Sequence, residues 1–161
     1  MRRYTLKKKE RKNILREISR KLRIDIEKAF GPKPIVEIIE TQKHKIFCIN
    51  GLSLLARTEE EVFPTLFFTE YFSSLPKIVL DMGAVPHVCN GADIMAPGIR
   101  KVEGEFREGE LVLALDERNR KPIAIARSLF DSETLKTKEK GKVFKNLHYV
   151  SDDVWNAVKM Y

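Results

Sequence analysis

Asp81-Met82-Gly83-Ala84-Val85-Pro86-His87-Val88-Cys89-Asn90-Gly91-Ala92-Asp93-Ile94-Met95-Ala96-Pro97-Gly98-Ile99 is the stretch that decides the fold of the C-terminal half. It is punctuated by glycine and proline, and it follows a short apolar strand, Lys77 to Leu80. Further strands are predicted at Ile99 to Val102, Glu110 to Leu115, Ile123 to Leu129 and Val143 to Val150. Short strands at this spacing, separated by turns, are typical of a closed or nearly closed β-barrel.

The last residues of the chain predict a short helix that closes this barrel. Asp152 and Asp153 precede Val154 and Trp155, and an aspartate in this position accepts hydrogen bonds from the first turn of a helix. We expect Trp155 to seal one end of the barrel.

The N-terminal half predicts a small α+β domain. Residues 6–22 lack proline and glycine, and their apolar residues recur at helical spacing, which indicates an amphipathic helix with Thr5 as its N-cap. Three β-rich runs predict an antiparallel meander: Ile35 to Ile39, Lys45 to Ile49 and Leu52 to Arg57. The apolar run Val62 to Phe72 would pack on the meander, with Pro64 in the first turn of a short helix.

The segment Ser73 to Pro76 has the composition of a hinge, so we expect an α+β domain at residues 1–75 and a mostly β pseudo-barrel at residues 76–161.

Charge is distributed unevenly between the two halves. Net charge is +7, and residues 1–23 alone carry 11 basic and 2 acidic side chains. Such concentrated positive charge favours a polyanionic partner such as RNA.

Composition also argues against several classes of protein. No stretch approaches the roughly 18 consecutive apolar residues of a membrane-spanning helix, and lysines stand where a signal peptide has its apolar core, so we expect a cytoplasmic protein. Cys48 and Cys89 are isolated, and we expect both to be small buried apolar residues. The three histidines accompany no nucleophile motif, phosphate loop or metal-ligand spacing. We therefore expect a non-catalytic protein with no cofactor and no metal.

The stretch Asp81 to Ile99 resembles the signature of the PUA domain, the module named for pseudouridine synthases and archaeosine transglycosylases. The resemblance implies that a strand enters a short helix, about Gly83 to Cys89, and that a glycine turn precedes the next strand. It also implies that Lys145 to Tyr149 is the last strand and that Asp153 to Trp155 begins the closing segment.

The N-terminal half resembles the pre-PUA domain of the malignant T-cell-amplified-sequence family. The similarity lies in Asn50-Gly51, Phe63 to Leu66 and Leu75-Pro76, so that it covers nearly the whole chain. Membership would imply binding to tRNA or to the rRNA of the small ribosomal subunit during initiation, re-initiation or recycling, with a translation-factor protein as a further partner.

The glycine motif supplies the predicted RNA-binding surface. Because glycine permits positive φ and close approach of another backbone, Gly91 and Gly98 would let an RNA phosphate or sugar lie against the turn. The alternative is that both are ordinary turn glycines. The full predicted set is His87, Asn90, Gly91, Ala92, Met95, Pro97, Gly98, Arg100, Lys101 and His148.

Several of these residues have a structural alternative. Asn90 could cap the helix, and Arg100 and Lys101 could be solvated surface cations. Successive strand residues point to opposite faces, so we expect His148 to line the RNA groove and Tyr149 to enter the barrel core. We assign Asp93 to structure, as the N-cap of the turn that follows it.

A second predicted RNA contact is the basic face of the first helix, formed by Lys7, Lys8, Arg11, Lys12, Arg16 and Arg20. The alternative is a solvated outer face. Three functions remain open at this point. The chain is a translation protein that holds a tRNA CCA end or acceptor stem while its first domain docks on the small subunit, or an RNA-binding accessory subunit of an RNA-modification enzyme, or a protein-interaction adaptor that has lost RNA binding.

Overall fold

The computed structural model describes residues 2–160, which form two sheets. The elements of the N-terminal half are β1 (Arg2–Thr5), α1 (Lys8–Leu22), α2 (Ile26–Phe30), β2 (Val36–Glu40), β3 (Lys45–Ile49), β4 (Leu52–Arg57), β5 (Val62–Pro64) and a 3₁₀ helix (Thr69–Ser74). The five strands form one antiparallel sheet in the order β1-β2-β3-β4-β5. The predicted meander is its centre, and the edge strands β1 and β5 were not anticipated.

Two local predictions in this half are wrong. Thr5 lies in β1 and not at the N-cap of α1, because the first residues pair with β2 and the helix begins only after Lys7, which makes no side-chain cap. Pro64 ends β5 instead of beginning a helix. A proline is tolerated there because β5 is an edge strand, and the helical turn starts later, at Thr69.

The C-terminal half contains β6 (Lys77–Leu80), α3 (Val85–Val88), β7 (Ile94–Met95), a 3₁₀ helix (Ala96–Gly98), β8 (Ile99–Glu103), β9 (Leu111–Asp116), β10 (Pro122–Ser128), α4 (Ser132–Leu135), β11 (Lys142–Tyr149) and α5 (Asp153–Met160). Its sheet has the order β7-β11-β10-β9-β6-β8, with β6 and β9 parallel. The two edge strands β7 and β8 are joined by only three residues. The sheet must therefore curl until its edges approach, and the predicted pseudo-barrel is confirmed.

Three layers of apolar side chains hold the molecule together. One layer lies between α1 and the first sheet and contains Ile18 and Phe47, whereas another fills the curled sheet and contains Ile78 and Phe144. The third layer joins the two sheets: it contains Phe63 from the first half together with residues of the second. Strands β3 and β4 are thus buried on both faces, and the two halves share a core.

Trp155 lies in this junction and not at the end of a barrel. Its ring stacks on Phe67 with 4.8 Å between ring centroids, so the predicted sealing role is corrected. The predicted cap of α5 is present, since Asp152 Oδ1 accepts a hydrogen bond of 2.8 Å from the Trp155 amide. Cys48 is buried and Cys89 is half-buried. Between residues 2 and 160 there is no helix with the length and apolar character needed to span a bilayer.

Candidate RNA interface

The glycine motif is fixed at its start by Asp81. Its Oδ1 accepts a hydrogen bond of 2.8 Å from the Ala84 amide, and its own amide donates to the Gly98 carbonyl at 2.9 Å. These bonds join the beginning of the motif to its end. The residues between them, which include α3, β7 and the intervening turn, therefore form a closed loop at one end of the curled sheet.

Asn146 of β11 fixes the middle of the same loop. Its Nδ2 donates to the carbonyls of Val88 and Ala92 at 3.0 and 2.9 Å, and its amide donates to Asp93 Oδ1 at 2.8 Å. Sequence reasoning overlooked this residue, although an asparagine inside a strand is unusual enough to signal a special role. Asp93 is structural, as expected, but it bonds β11 and Lys142 Nζ (2.9 Å) instead of capping the turn.

Both motif glycines are required by contacts inside the protein. Gly91 has φ +95°, and a Cβ there would lie 3.0 Å from the Tyr149 hydroxyl oxygen. A Cβ on Gly98 would lie 2.9 Å from the Ala84 Cβ. We expected the missing side chains to leave room for an RNA phosphate. On the side where a Cβ would lie, this expectation is corrected, because Tyr149 and Ala84 fill the space.

Most of the other predicted RNA contacts are exposed on this loop or on β8, which follows it. The exposed members are His87, Asn90, Gly91, Ala92, Met95, Pro97, Arg100 and Lys101. Among residues 2–160, the side chains of His87 and Asn90 form no hydrogen bond, so the capping alternative for Asn90 does not describe this structure. Met95, 48% exposed, lies opposite Lys142 in the β7–β11 pair. The loop therefore presents polar and apolar groups that could meet a base or a ribose.

The two cations predicted for this site already have partners. Arg100 Nε lies 3.4 Å from Glu117 Oε2, and Lys101 Nζ lies 3.5 Å from Glu103 Oε2. Arg100 is the extra residue of a β-bulge, because Leu80 pairs with Ile99 and Val79 pairs with Lys101. A bulge changes the direction of its side chain, a feature that sequence alternation cannot predict.

Four cations on one side of α1, by contrast, form no ion pair with any described residue. Lys8, Lys12, Arg16 and Arg20 are exposed and recur every fourth residue, so they form a stripe along one side of the helix. Within the described chain none of them forms an ion pair; Glu17, the carboxylate nearest in sequence to Arg16, bonds Arg57 and Lys21 instead. Lys7 is also exposed, whereas Arg11 is half-buried. Like charges at this spacing destabilise a helix, which favours a role for them in binding a polyanion.

His148 is not part of any RNA groove. Its side chain is completely buried, because the sheet face that carries it is covered by the N-terminal half. The Leu66 amide donates to His148 Nε2 at 3.0 Å, so this nitrogen carries no proton, and Nδ1 then donates to Asp152 Oδ2 at 2.8 Å. Tyr149 on the opposite face packs partly buried against the core of the curled sheet, as expected.

Two family models match the chain. The model described as the PUA domain matches residues 76–150, and the model described as a domain of unknown function (DUF1947) matches residues 2–71. Among solved structures, a PUA domain of Aeropyrum pernix superposes with a TM-score of 0.79 at 25% identity, covering 98% of this chain and 91% of that one. A hypothetical protein of Pyrococcus horikoshii gives a TM-score of 0.75 at 28% identity, covering 98% and 99%.

Curated relatives extend the same result. An uncharacterized protein of Methanocaldococcus jannaschii is 35% identical over 157 residues, 96% of this chain and 95% of that protein. Translation machinery-associated protein 20 of Saccharomyces cerevisiae is 25% identical, covering 81% and 77%, and malignant T-cell-amplified sequence 1 of Rattus norvegicus is 28% identical, covering 77% and 71%. A probable tRNA pseudouridine synthase B of Pyrobaculum calidifontis is 45% identical over 69 residues, which is 43% of this chain and 20% of that protein.

The matches with the Methanocaldococcus, yeast and rat proteins run through both halves, whereas the match with the synthase has fewer residues than the C-terminal half alone. The order of the two family models is also the order of the two sheets. With a DUF1947 domain as its pre-PUA half and a PUA domain after it, the chain belongs to the family of the malignant T-cell-amplified sequence proteins and translation machinery-associated protein 20.

Proposed function

We propose that the chain is a non-catalytic, cytoplasmic RNA-binding protein of the translation apparatus, built from domains at residues 1–75 and 76–161. The name of one relative that matches both halves, translation machinery-associated protein 20, describes a translation-associated protein, which supports this proposal. The observation that carries it is a pair of surfaces without partners among residues 2–160. One is the exposed motif loop, where the His87 and Asn90 side chains form no hydrogen bond, and the other is the α1 stripe of Lys8, Lys12, Arg16 and Arg20, which forms no ion pair.

The two surfaces suit two different kinds of RNA contact. Single-stranded RNA is recognised by hydrogen bonds and packing against unstacked bases and ribose hydroxyls, which matches the mixed character of the motif loop. The cationic stripe of α1 instead offers point charges to phosphates, and these contacts are independent of sequence. We assign the CCA end or acceptor stem of a tRNA to the loop and rRNA of the small subunit to α1, with a translation-factor protein as a further partner.

A binding experiment with two transcripts tests the assignment of the loop. A tRNA ending in CCA and the same tRNA without it are titrated at several salt concentrations. We expect tighter binding of the intact tRNA by the wild-type protein, and loss of that preference in a His87→Ala/Asn90→Ala variant. Equal affinity for both transcripts at every salt concentration would refute recognition of the end.

The assignment of α1 has its own test. A Lys12→Ala/Arg16→Ala variant should bind small-subunit rRNA more weakly, and its log K should depend less steeply on log salt by about 1.4 to 1.8 for two lost phosphate contacts. Lys28→Ala/Lys33→Ala removes the same charge from exposed sites elsewhere in this half and is the matched control. If the two variants behave alike, the stripe is a solvated face.

A second candidate is an RNA-binding accessory subunit of a modification enzyme, which the 69-residue match with a tRNA pseudouridine synthase favours. Affinity purification of the tagged protein from its own cells separates the two. Co-purification of ribosomal subunits supports the translation role, whereas a stable stoichiometric complex with a modification enzyme would replace it.

A further inference from the structure

The turn between β9 and β10, residues 117–121, lies beside the motif loop. Strands β6 and β9 are parallel neighbours, with Leu80 opposite Asp116, so both end at the same edge of the sheet. The segments that follow them must therefore emerge side by side. The Glu117 amide donates to the Leu80 carbonyl at 3.0 Å, and Glu117 Oε2 accepts a hydrogen bond of 3.0 Å from the Met82 amide.

This turn is held in one conformation by its own contacts. Asp116 is only 4% exposed, and its carboxylate accepts hydrogen bonds from the amides of Asn119 (2.6 Å) and Lys121 (3.1 Å). Arg120 has φ 52°, and its guanidinium forms two hydrogen bonds of 2.8 and 2.7 Å with the Glu103 carboxylate. The backbone is thereby fixed without using the remaining side chains of the turn.

Two cationic side chains of the turn, those of Arg118 and Lys121, take no part in these contacts. Arg118 and Lys121 are exposed, and neither side chain forms an ion pair or hydrogen bond with any described residue. The nearby glutamates are already engaged, Glu103 by Arg120 and Lys101, and Glu117 by Arg100. The Asp116 carboxylate, whose pKa is lowered by the Asn119 amide and also by the charge of Lys121, is buried and bonded to backbone amides. The hydrogen bonds of Glu117 to Leu80 and Met82 place the turn beside the motif loop. In agreement with this position, burial raises the pKa of the Cys89 thiol at the end of α3 and the positive charge of Lys121 opposes that rise.

We propose that Arg118 and Lys121 form a phosphate-binding site for the RNA chain whose bases and riboses contact the motif loop. This site rests on the proposed function and deepens it, because it assigns the phosphate contacts of the C-terminal half to the β9–β10 turn. Arg100 and Lys101, the cations adjacent to the motif in sequence, are held by Glu117 and Glu103 and serve to fix the turn. Cations on a turn whose backbone is already fixed can contact phosphates without the loss of backbone freedom that a mobile loop would suffer.

An Arg118→Ala/Lys121→Ala variant tests the site with the CCA-terminated tRNA transcript as the probe. Neither side chain forms a hydrogen bond or ion pair with any of residues 2–160, so the fold and its thermal midpoint should be unchanged. We expect the affinity to fall and the slope of log K against log salt to become shallower by about 1.4 to 1.8, the value for two phosphate contacts. The Lys28→Ala/Lys33→Ala variant, with the same net charge, should change the slope by less than half of this.

The outcomes separate this site from the function on which it rests. If the turn variant and its control give equal slopes while His87→Ala/Asn90→Ala weakens binding, the turn is not a phosphate site and the motif loop still binds RNA. If the wild-type protein binds the transcript no better than a chain with both the motif and the turn substituted, the proposed function and this site both fail.

Discussion

The replacement His148→Ala should destabilise the whole molecule. This ring spans the junction of the two halves, with Nε2 accepting from the Leu66 amide at 3.0 Å and Nδ1 donating to Asp152 at 2.8 Å, and it is completely buried. Phe63 stacks against it with 6.1 Å between ring centroids. Removing the ring therefore leaves a buried donor without a partner and a cavity in the shared core.

The magnitude follows from these losses. A buried amide left unsatisfied costs about 1 to 3 kcal/mol, and the cavity left by a large side chain adds about 2 kcal/mol or more. Asp152 is affected less, because its carboxylate keeps the amides of Tyr149 and Trp155 at 3.1 and 2.8 Å. We expect a total loss of about 3 to 5 kcal/mol, a large fraction of the roughly 5 to 15 kcal/mol that stabilises a typical domain.

Urea denaturation followed by tryptophan fluorescence measures this loss directly. Trp155 is the single tryptophan and lies at the same junction, so its emission reports separation of the halves. His87→Ala makes the same chemical change at an exposed site and should cost less than about 0.5 kcal/mol. A loss below about 1 kcal/mol for His148→Ala would refute the claim that this histidine joins the two halves.

Two further predictions concern a close contact and a titration. Gly98→Ala should destabilise the fold by about 1 to 3 kcal/mol because its Cβ would lie 2.9 Å from that of Ala84, and adding Ala84→Gly should restore most of the loss in the same urea assay. Burial would raise the pKa of Asp153, but hydrogen bonds from His44 and Thr41 outweigh it and lower the pKa from 3.8 to about 2. Its ionised form is thus favoured by folding, so this contribution is complete above about pH 4 and is lost as the pH falls toward 2. Asp153→Asn should flatten that part of the acid-unfolding curve, and an unchanged curve would contradict the argument.

Five of the six strands described in the C-terminal half could be predicted because each is a short β-rich run and most are bounded by glycine or asparagine turns, whereas the two-residue strand β7 was not predicted. The turn that contains the exposed residues Asn90, Gly91 and Ala92 could also be predicted, since glycine marks it as a break between elements. The roles of Asn146 and Lys121 could not be predicted. These residues lie 53 and 28 positions after Asp93 and come near the motif only through strand pairing. The hydrogen bonds of Asn146 to the motif and the proposed phosphate site therefore depend on the order of the strands in the sheet.

By itself, the sequence determined the elements that depend on local chemistry: the amphipathic α1, the glycine-bounded strands and the positive charge at the N-terminus. Only the tertiary structure decided which surfaces are free. Alternation puts His148 and Tyr149 on opposite faces of β11, but it does not say that the other sheet covers the face with His148. Burial of a strand face is set by residues distant in the chain, so a period of two assigns the side chains to faces and leaves open which face meets solvent.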